Sequence, residues 1–139
     1  MQYATTYMLW IEGVLALAMM KITLGYARDN GILPGYYTGF TATCRDEARH
    51  VHGGLRFIRE LLDEDPSLVD DLHETLRTLL IMSSTSSAYV LYEAIGWSED
   101  AVRNLLGNQL DRKLNLIGVT LPDDIREMVD KMDPVLAGG

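Results

Sequence analysis

The chain has 139 residues, of which 47% are hydrophobic and 23% charged, and this ordinary globular composition predicts one folded domain. Its formal net charge of −8 and its lack of a Lys/Arg stripe with interleaved aromatics argue against nucleic acid as a partner. A single cysteine, Cys44, excludes an intrachain disulfide and indicates a reducing compartment. The first residues lack the pattern of a secretory signal, so a cytoplasmic location is expected.

The first predicted helix covers about residues 2–28, and Glu12 is the only charged residue among residues 1–20 of the chain. Such a stretch is nearly long enough to span a bilayer, but a carboxylate near its middle would be costly in lipid. A helix that is apolar almost all round is more typical of the buried centre of a soluble bundle. No membrane span is therefore expected.

The rest of the chain lacks strand patterns and predicts four more helices. Turn and capping signals separate these helices, among them Asp29-Asn30-Gly31, Pro34-Gly35 and Ser98 as the cap of the fourth helix. The predicted fold class is all-α, with one domain over residues 1–132 and a flexible C-terminal tail over 133–139. The four helices cover about residues 36–63, 66–95, 99–116 and 122–132.

Three residues indicate a metal site. Glu47 and His50 are three positions apart on the second helix and so point to the same side, although such a pair also occurs by chance on solvated helix faces. Glu12 is flanked by apolar residues on both sides, so that no rotation of its helix exposes it easily. A buried carboxylate is costly unless it is protonated and hydrogen-bonded, paired, or bound to a cation. We predict that Glu12, Glu47 and His50 are metal ligands on two antiparallel helices, and a protonated core Glu12 is the alternative.

These ligands make up half of a known kind of site. Ferritin-like dimetal proteins take one Glu from each of two helices and one Glu-x-x-His from each of two more. A two-fold homodimer would supply the missing half, and its four carboxylates would balance the charge of two divalent ions. We expect a ferritin-like half-bundle, with two long ligand helices and two to three further helices, that completes a four-helix dimetal bundle by dimerisation. A separately encoded chain is the other candidate partner.

Three segments of the chain are distinctive: YMLWIEGVLA at 7–16, GILPG at 31–35 and RDEARH at 45–50. In combination, they resemble the second half of the ribonucleotide reductase small-subunit superfamily. The resemblance is closest to its ligand-binding oxidases, which hold a manganese–iron or di-iron centre, and it covers about residues 3–116. The members carry an earlier half with its own ligands, whereas here only eleven residues precede Glu12. Gly54 rather than a tyrosine follows His50 at four positions, so radical storage for nucleotide reduction is not expected.

The resemblance implies roles for two further residues. Asp46 would accept a hydrogen bond that orients a ligand histidine, on its own chain or on a partner. Tyr7 matches a tyrosine that lies beside the metals in those oxidases. Five residues turn an ideal α-helix by about 140°, so Tyr7 reaches Glu12 only if the helix is locally widened, as in a π-bulge. A packed core tyrosine with a bonded hydroxyl is the alternative.

The first functional hypothesis is an oxygen-activating oxidase with an Fe/Fe or Mn/Fe centre, dioxygen as co-substrate and, as the resemblance implies, a long apolar ligand. The second is a non-catalytic metal-binding or assembly subunit, for iron handling or for completing a split small-subunit-like protein. The third is an all-α dimerisation domain with a vestigial site. Glu and His without thiolate favour iron or manganese in the first two cases.

Overall fold

The computed structural model describes residues 1–84 and 89–131, and every regular element in these ranges is helical. The prediction of an all-α chain is confirmed. The predicted tail at 133–139, and the part of the predicted third helix at 85–88, lie outside the described residues. The helices are α1, with a π-helical part Ala4–Ala16 and an α-helical part Leu17–Asp29, then α2 (Pro34–Glu64), α3 (Leu68–Ser84), α4 (Tyr89–Glu93), α5 (Glu99–Ile117) and α6 (Asp123–Asp130).

A short turn of residues 30–33 joins α1 to α2, so these two helices form an αα-hairpin. Gly31 has a φ of 61°, which glycine adopts at little cost. Leu33 has a φ of 51°, a left-handed conformation that is strained for a residue with a branched side chain. Pro34 then begins α2, where its missing N–H has no partner to lose. The predicted turn at these positions is confirmed.

The ends of the later helices follow local capping chemistry. The Ser98 hydroxyl accepts a hydrogen bond from the Ala101 N–H at 3.2 Å, which confirms Ser98 as the cap of α5. Gly118 ends α5 with a φ of 73°. Pro66 lies in the turn before α3 rather than in its first helical turn, since the Asp65 carboxylate accepts hydrogen bonds from the Ser67 N–H and hydroxyl.

The hydrophobic core lies where α1 packs against α2, α3 and α5, and α6 closes one end of it. Each large aliphatic side chain that is fully buried stabilises the fold by about 1.5–3 kcal/mol relative to an exposed one. The π-helical part of α1 contributes to this core with its inner side only, which leaves its outer side for other contacts. The largest fully buried side chains include Leu9, Val14, Ile22, Ile58, Leu72, Leu76, Leu110, Leu114 and Ile125.

One cation lies within this packing and was missed in the sequence analysis. Lys113 of α5 is only 9% exposed, and its ammonium group donates to Oε1 of Gln109 at 2.8 Å. Burial, and to a smaller extent the positive charge of Arg112, lower the pKa of Lys113. Its Cγ lies 3.7 Å from the position that a Cβ on Gly13 would take, so the lysine stem packs against the π-helical part of α1.

We expect Lys113→Met to raise the unfolding free energy at neutral pH by about 1 kcal/mol, because methionine fills the space without a desolvated charge. In the folded state Lys113 loses its proton at a lower pH than in the unfolded state, where its pKa is the ordinary 10.5. The unfolding free energy of the wild-type protein therefore rises as the pH increases from the lowered pKa toward 10.5. The difference in unfolding free energy between Lys113→Met and the wild-type protein should therefore become smaller toward pH 10. Thermal unfolding over this pH range measures it, with Lys131→Met at an exposed position as the control. A lower melting temperature for Lys113→Met at neutral pH would contradict the prediction.

The first helix, from Ala4 to Asp29, is long and apolar enough to cross a membrane by length and composition. About a third of its most apolar window, 33%, is buried against the other helices. Core helices of soluble bundles have the same length and composition, so these properties do not distinguish a membrane span from a buried core helix. The absence of a membrane span stays a prediction.

Candidate metal centre

The structure brings the three predicted ligand residues together between α1 and α2. Glu12, Glu47 and His50 each offer one ligand atom, and these three atoms lie within 4.8 Å of one another. Neighbouring donors around one octahedral ion at about 2.1 Å are separated by about 3 Å, and opposite donors by about 4 Å. The spacing is therefore within reach of a single ion after small side-chain rotations. Metal binding by these residues stays a prediction.

The burial of Glu12 differs from the expectation. Glu12 and Glu47 are half-buried and His50 is exposed, so the carboxylate does not lie deep in apolar surface. The reason is that α1 has a solvent-facing side, on which the preceding residue, Ile11, is 42% exposed. On the inner side of the same turn, Gly13 is buried. Within this chain, Glu12 is therefore not a fully buried core residue.

The π-helical part of α1 places Tyr7 beside Glu12. Hydrogen bonds in a π-helix connect residues five apart, so Tyr7 and Glu12 lie on the same side of the helix. A hydrogen bond with the Glu12 carboxylate, and next its negative charge, raise the pKa of Tyr7. Tyr7 is 42% exposed and is therefore not a packed core tyrosine. The placement of Tyr7 beside Glu12 requires a widened helix, and α1 is π-helical over the whole of Ala4–Ala16.

Large apolar side chains surround the ligands on the solvent side of α1. The Tyr3 ring stacks on the Tyr7 ring with 5.6 Å between centroids, and Tyr3 is 68% exposed. We call the surface formed by Tyr3, Tyr7 and Ile11 around Glu12 the open face. Exposed apolar side chains that cluster in this way are typical of a surface that another chain covers.

Asp46 precedes Glu47 in the sequence but points away from the ligand cluster. Its carboxylate pairs with the guanidinium of Arg49 on the exposed side of α2. Within this chain, the hydrogen-bond partner of Asp46 is therefore Arg49 and not His50. It stays a prediction that Asp46 orients a histidine of a partner chain.

Cys44 lies one helical turn before Glu47 and is half-buried. Burial, and next the negative charge of Glu47, raise the pKa of the Cys44 thiol. The Cys44 thiol does not belong to the group of three ligand atoms that lie within 4.8 Å of one another. The ligand set consists of two carboxylates and one imidazole.

Two glycines beside the ligands were missed in the sequence analysis. Gly13 follows Glu12, and a Cβ at this position would lie 3.5 Å from Cγ1 of Val51 on α2. Gly54 lies four residues after His50, and a Cβ there would lie 2.8 Å from the Cβ of Met8 on α1. The two ligand helices therefore lie close together at positions that flank the cluster. In the sequence, the signal for their packing role was that one glycine lies one residue, and the other one helical turn, from a ligand.

Comparison of the chain with protein-family models, with curated proteins and with solved structures gives no match. The function must therefore be argued from the residues and their arrangement. In that arrangement, two half-buried carboxylates and one exposed imidazole meet at the edge of an open apolar surface.

Proposed function

We propose that Glu12, Glu47 and His50 bind an iron or manganese ion, and that a second copy of the chain completes a carboxylate-bridged dimetal site. In this proposal the chain is a ferritin-like half-bundle, similar to the second half of the ribonucleotide reductase small-subunit superfamily, and acts as an oxygen-activating oxidase. The observation that carries it is the convergence of three ligand atoms from two helices to within 4.8 Å.

The donor set favours this class of metal. Carboxylate oxygens and imidazole nitrogens without a thiolate suit iron and manganese, whereas structural zinc sites favour cysteine and histidine in a closed tetrahedron. Three protein donors leave several coordination positions of a six-coordinate ion open. Carboxylates from a second chain would supply further donors to the ion.

The need for a second chain follows from exposure. His50 is exposed and the carboxylates are half-buried, so a single chain leaves the ion in contact with water. A two-fold partner that covers the open face would bury Tyr3 and Ile11, which are 68% and 42% exposed, and would place two ligand sets near the axis. The two sets contain four carboxylates, which balance the charge of two divalent ions. A different chain with the same ligand pattern would satisfy the same geometry.

A bound pair of ferrous or manganous ions would supply the electrons that reduce dioxygen. The residues of this chain hold and shield that pair. Glu12 and Glu47 would supply the carboxylates, and Tyr7 lies beside the Glu12 carboxylate, whose proximity raises the pKa of the phenol. Tyr7 is therefore the candidate catalytic residue next to the ligands, and a long apolar substrate is the class that the resemblance implies.

Metal content per chain, measured together with solution mass, tests the proposal. We expect protein loaded anaerobically with ferrous or manganous ions to bind one ion per chain and to have the mass of two chains. Admission of air should then consume dioxygen and produce a new absorption band. Binding without oxygen consumption would instead identify the non-catalytic metal-binding or assembly subunit. A monomer that binds no metal would contradict both.

A further inference from the structure

We propose that Gly54 is a positioning residue for the metal site, because its missing side chain lets α2 approach Met8 of α1 closely enough for both helices to reach one ion. This inference rests on the proposed metal binding. Met8 lies four residues before Glu12, and Gly54 lies four residues after His50. The contact between them is thus about one helical turn from a ligand on each helix.

The space at Gly54 is too small for any other residue. A Cβ on Gly54 would lie 2.8 Å from the Cβ of Met8, 3.1 Å from its Cγ and 3.0 Å from its Sδ. Rotation of the methionine side chain relieves the contacts with Cγ and Sδ but leaves the Cβ in place. Non-bonded carbon atoms prefer about 3.5–4.0 Å, so an alanine at position 54 must push the two backbones apart by about 1 Å.

Such a displacement is large for a metal site. Ligand positions in working sites are held to within about 0.5 Å, and metal–donor distances to within about 0.2 Å. The three donor atoms lie within 4.8 Å of one another, which is already more than the roughly 4 Å between opposite donors of one ion. Separation of α1 from α2 would take Glu12 away from Glu47 and His50, which belong to the other helix.

Gly53 provides a matched control in the adjacent position. It is also helical, but it is exposed, and a Cβ added to it would meet nothing within 4 Å. Gly53→Ala and Gly54→Ala therefore make the same chemical change and the same gain in helix propensity one residue apart. Only the second change affects the distance between the ligand helices.

The experiment is a titration of the purified chain with manganese alone and with cobalt alone, followed by Mn²⁺ electron paramagnetic resonance and the visible Co²⁺ bands. We expect Gly53→Ala to bind like the wild-type protein and Gly54→Ala to bind roughly 10–100-fold more weakly, with altered Co²⁺ bands. Circular dichroism and thermal unfolding of the metal-free variants report whether the fold is kept.

A pair of double variants separates helix spacing from general destabilisation. Met8→Gly combined with Gly54→Ala moves the missing Cβ to the other helix and should restore most of the affinity, although glycine at position 8 lowers helix propensity and removes the methionine side chain. Met8→Ala combined with Gly54→Ala keeps the Cβ–Cβ contact and should not restore it. If Gly54→Ala does not fold, these double variants carry the comparison, and equal binding by the two would overturn the inference.

The outcomes also distinguish failure of the positioning role of Gly54 from failure of the proposed metal binding. If the wild-type protein and Gly53→Ala bind no metal, the proposed function fails. If they bind and Gly54→Ala binds equally well, only the positioning role of Gly54 is overturned.

Discussion

Replacement of Glu12 with alanine is expected to weaken binding of manganous or ferrous ions by at least about 100-fold. Residues that only hydrogen-bond to metal ligands typically contribute 10–100-fold to the affinity for the metal. The loss of affinity should exceed this range, because Glu12 is the one carboxylate of α1 that belongs to the cluster. Equilibrium titration of the wild-type and variant proteins measures the effect. Retention of wild-type affinity by Glu12→Ala would contradict the metal site itself.

The same variant is expected to leave the metal-free protein almost as stable as the wild type, within about 0.5 kcal/mol. Glu12 is half-buried, so its removal relieves only part of the charge burial that a deep position would entail. Glu60→Ala is the control, because Glu60 is an exposed carboxylate of α2 that pairs with Arg56 at 2.8 Å. It should change neither metal affinity nor stability appreciably. A large loss of stability in metal-free Glu12→Ala would make Glu12 a structural residue.

Introduction of a charge into the open face by Ile11→Lys is expected to convert the proposed dimer to monomers. Two-fold symmetry would bring two lysines into the same interface, and both would lose water without a partner. We expect the dissociation constant to rise at least about 100-fold, which sedimentation measures in the presence and absence of manganese. Ion binding per chain should weaken in parallel, because the second chain supplies bridging carboxylates.

Two substitutions control for the change at Ile11. Ile11→Leu keeps the apolar surface and should stay dimeric. Leu116→Lys places the same charge at a 52% exposed leucine of α5, which lies in a groove beside Arg56 and Arg59 rather than beside the ligands. It should also stay dimeric. A dimeric Ile11→Lys would show that the open face is not the contact surface.

Helix positions could be predicted from the sequence because they depend on local chemistry. Asp29-Asn30-Gly31 and Ser98 act through the backbone of their nearest neighbours, and the structure has the turn and the cap where these residues predict them. The meeting of Glu12 with Glu47 and His50 could also be predicted, since a short turn between two long helices leaves them few other arrangements.

Other features depend on tertiary packing and were not predictable. Apolar neighbours in the sequence suggested a deeply buried Glu12, but the core contacts only the inner side of α1 and leaves Ile11 exposed. The sequence made the placement of Tyr7 conditional on a widened helix, and it gave no sign that the widening extends over thirteen residues. The burial of Lys113 depends on its contact with α1 at Gly13, 100 residues away along the chain.

The turn at residues 30–33 has a consequence for biosynthesis. All three proposed ligands belong to the hairpin that ends at Glu64, so a ribosome has made the complete ligand set before α3 begins. Contacts between neighbouring helices form early, since short loops close with little entropy loss. In the proposed function, a nascent chain would therefore carry all three ligands while α5, which packs on α1, is still being synthesised.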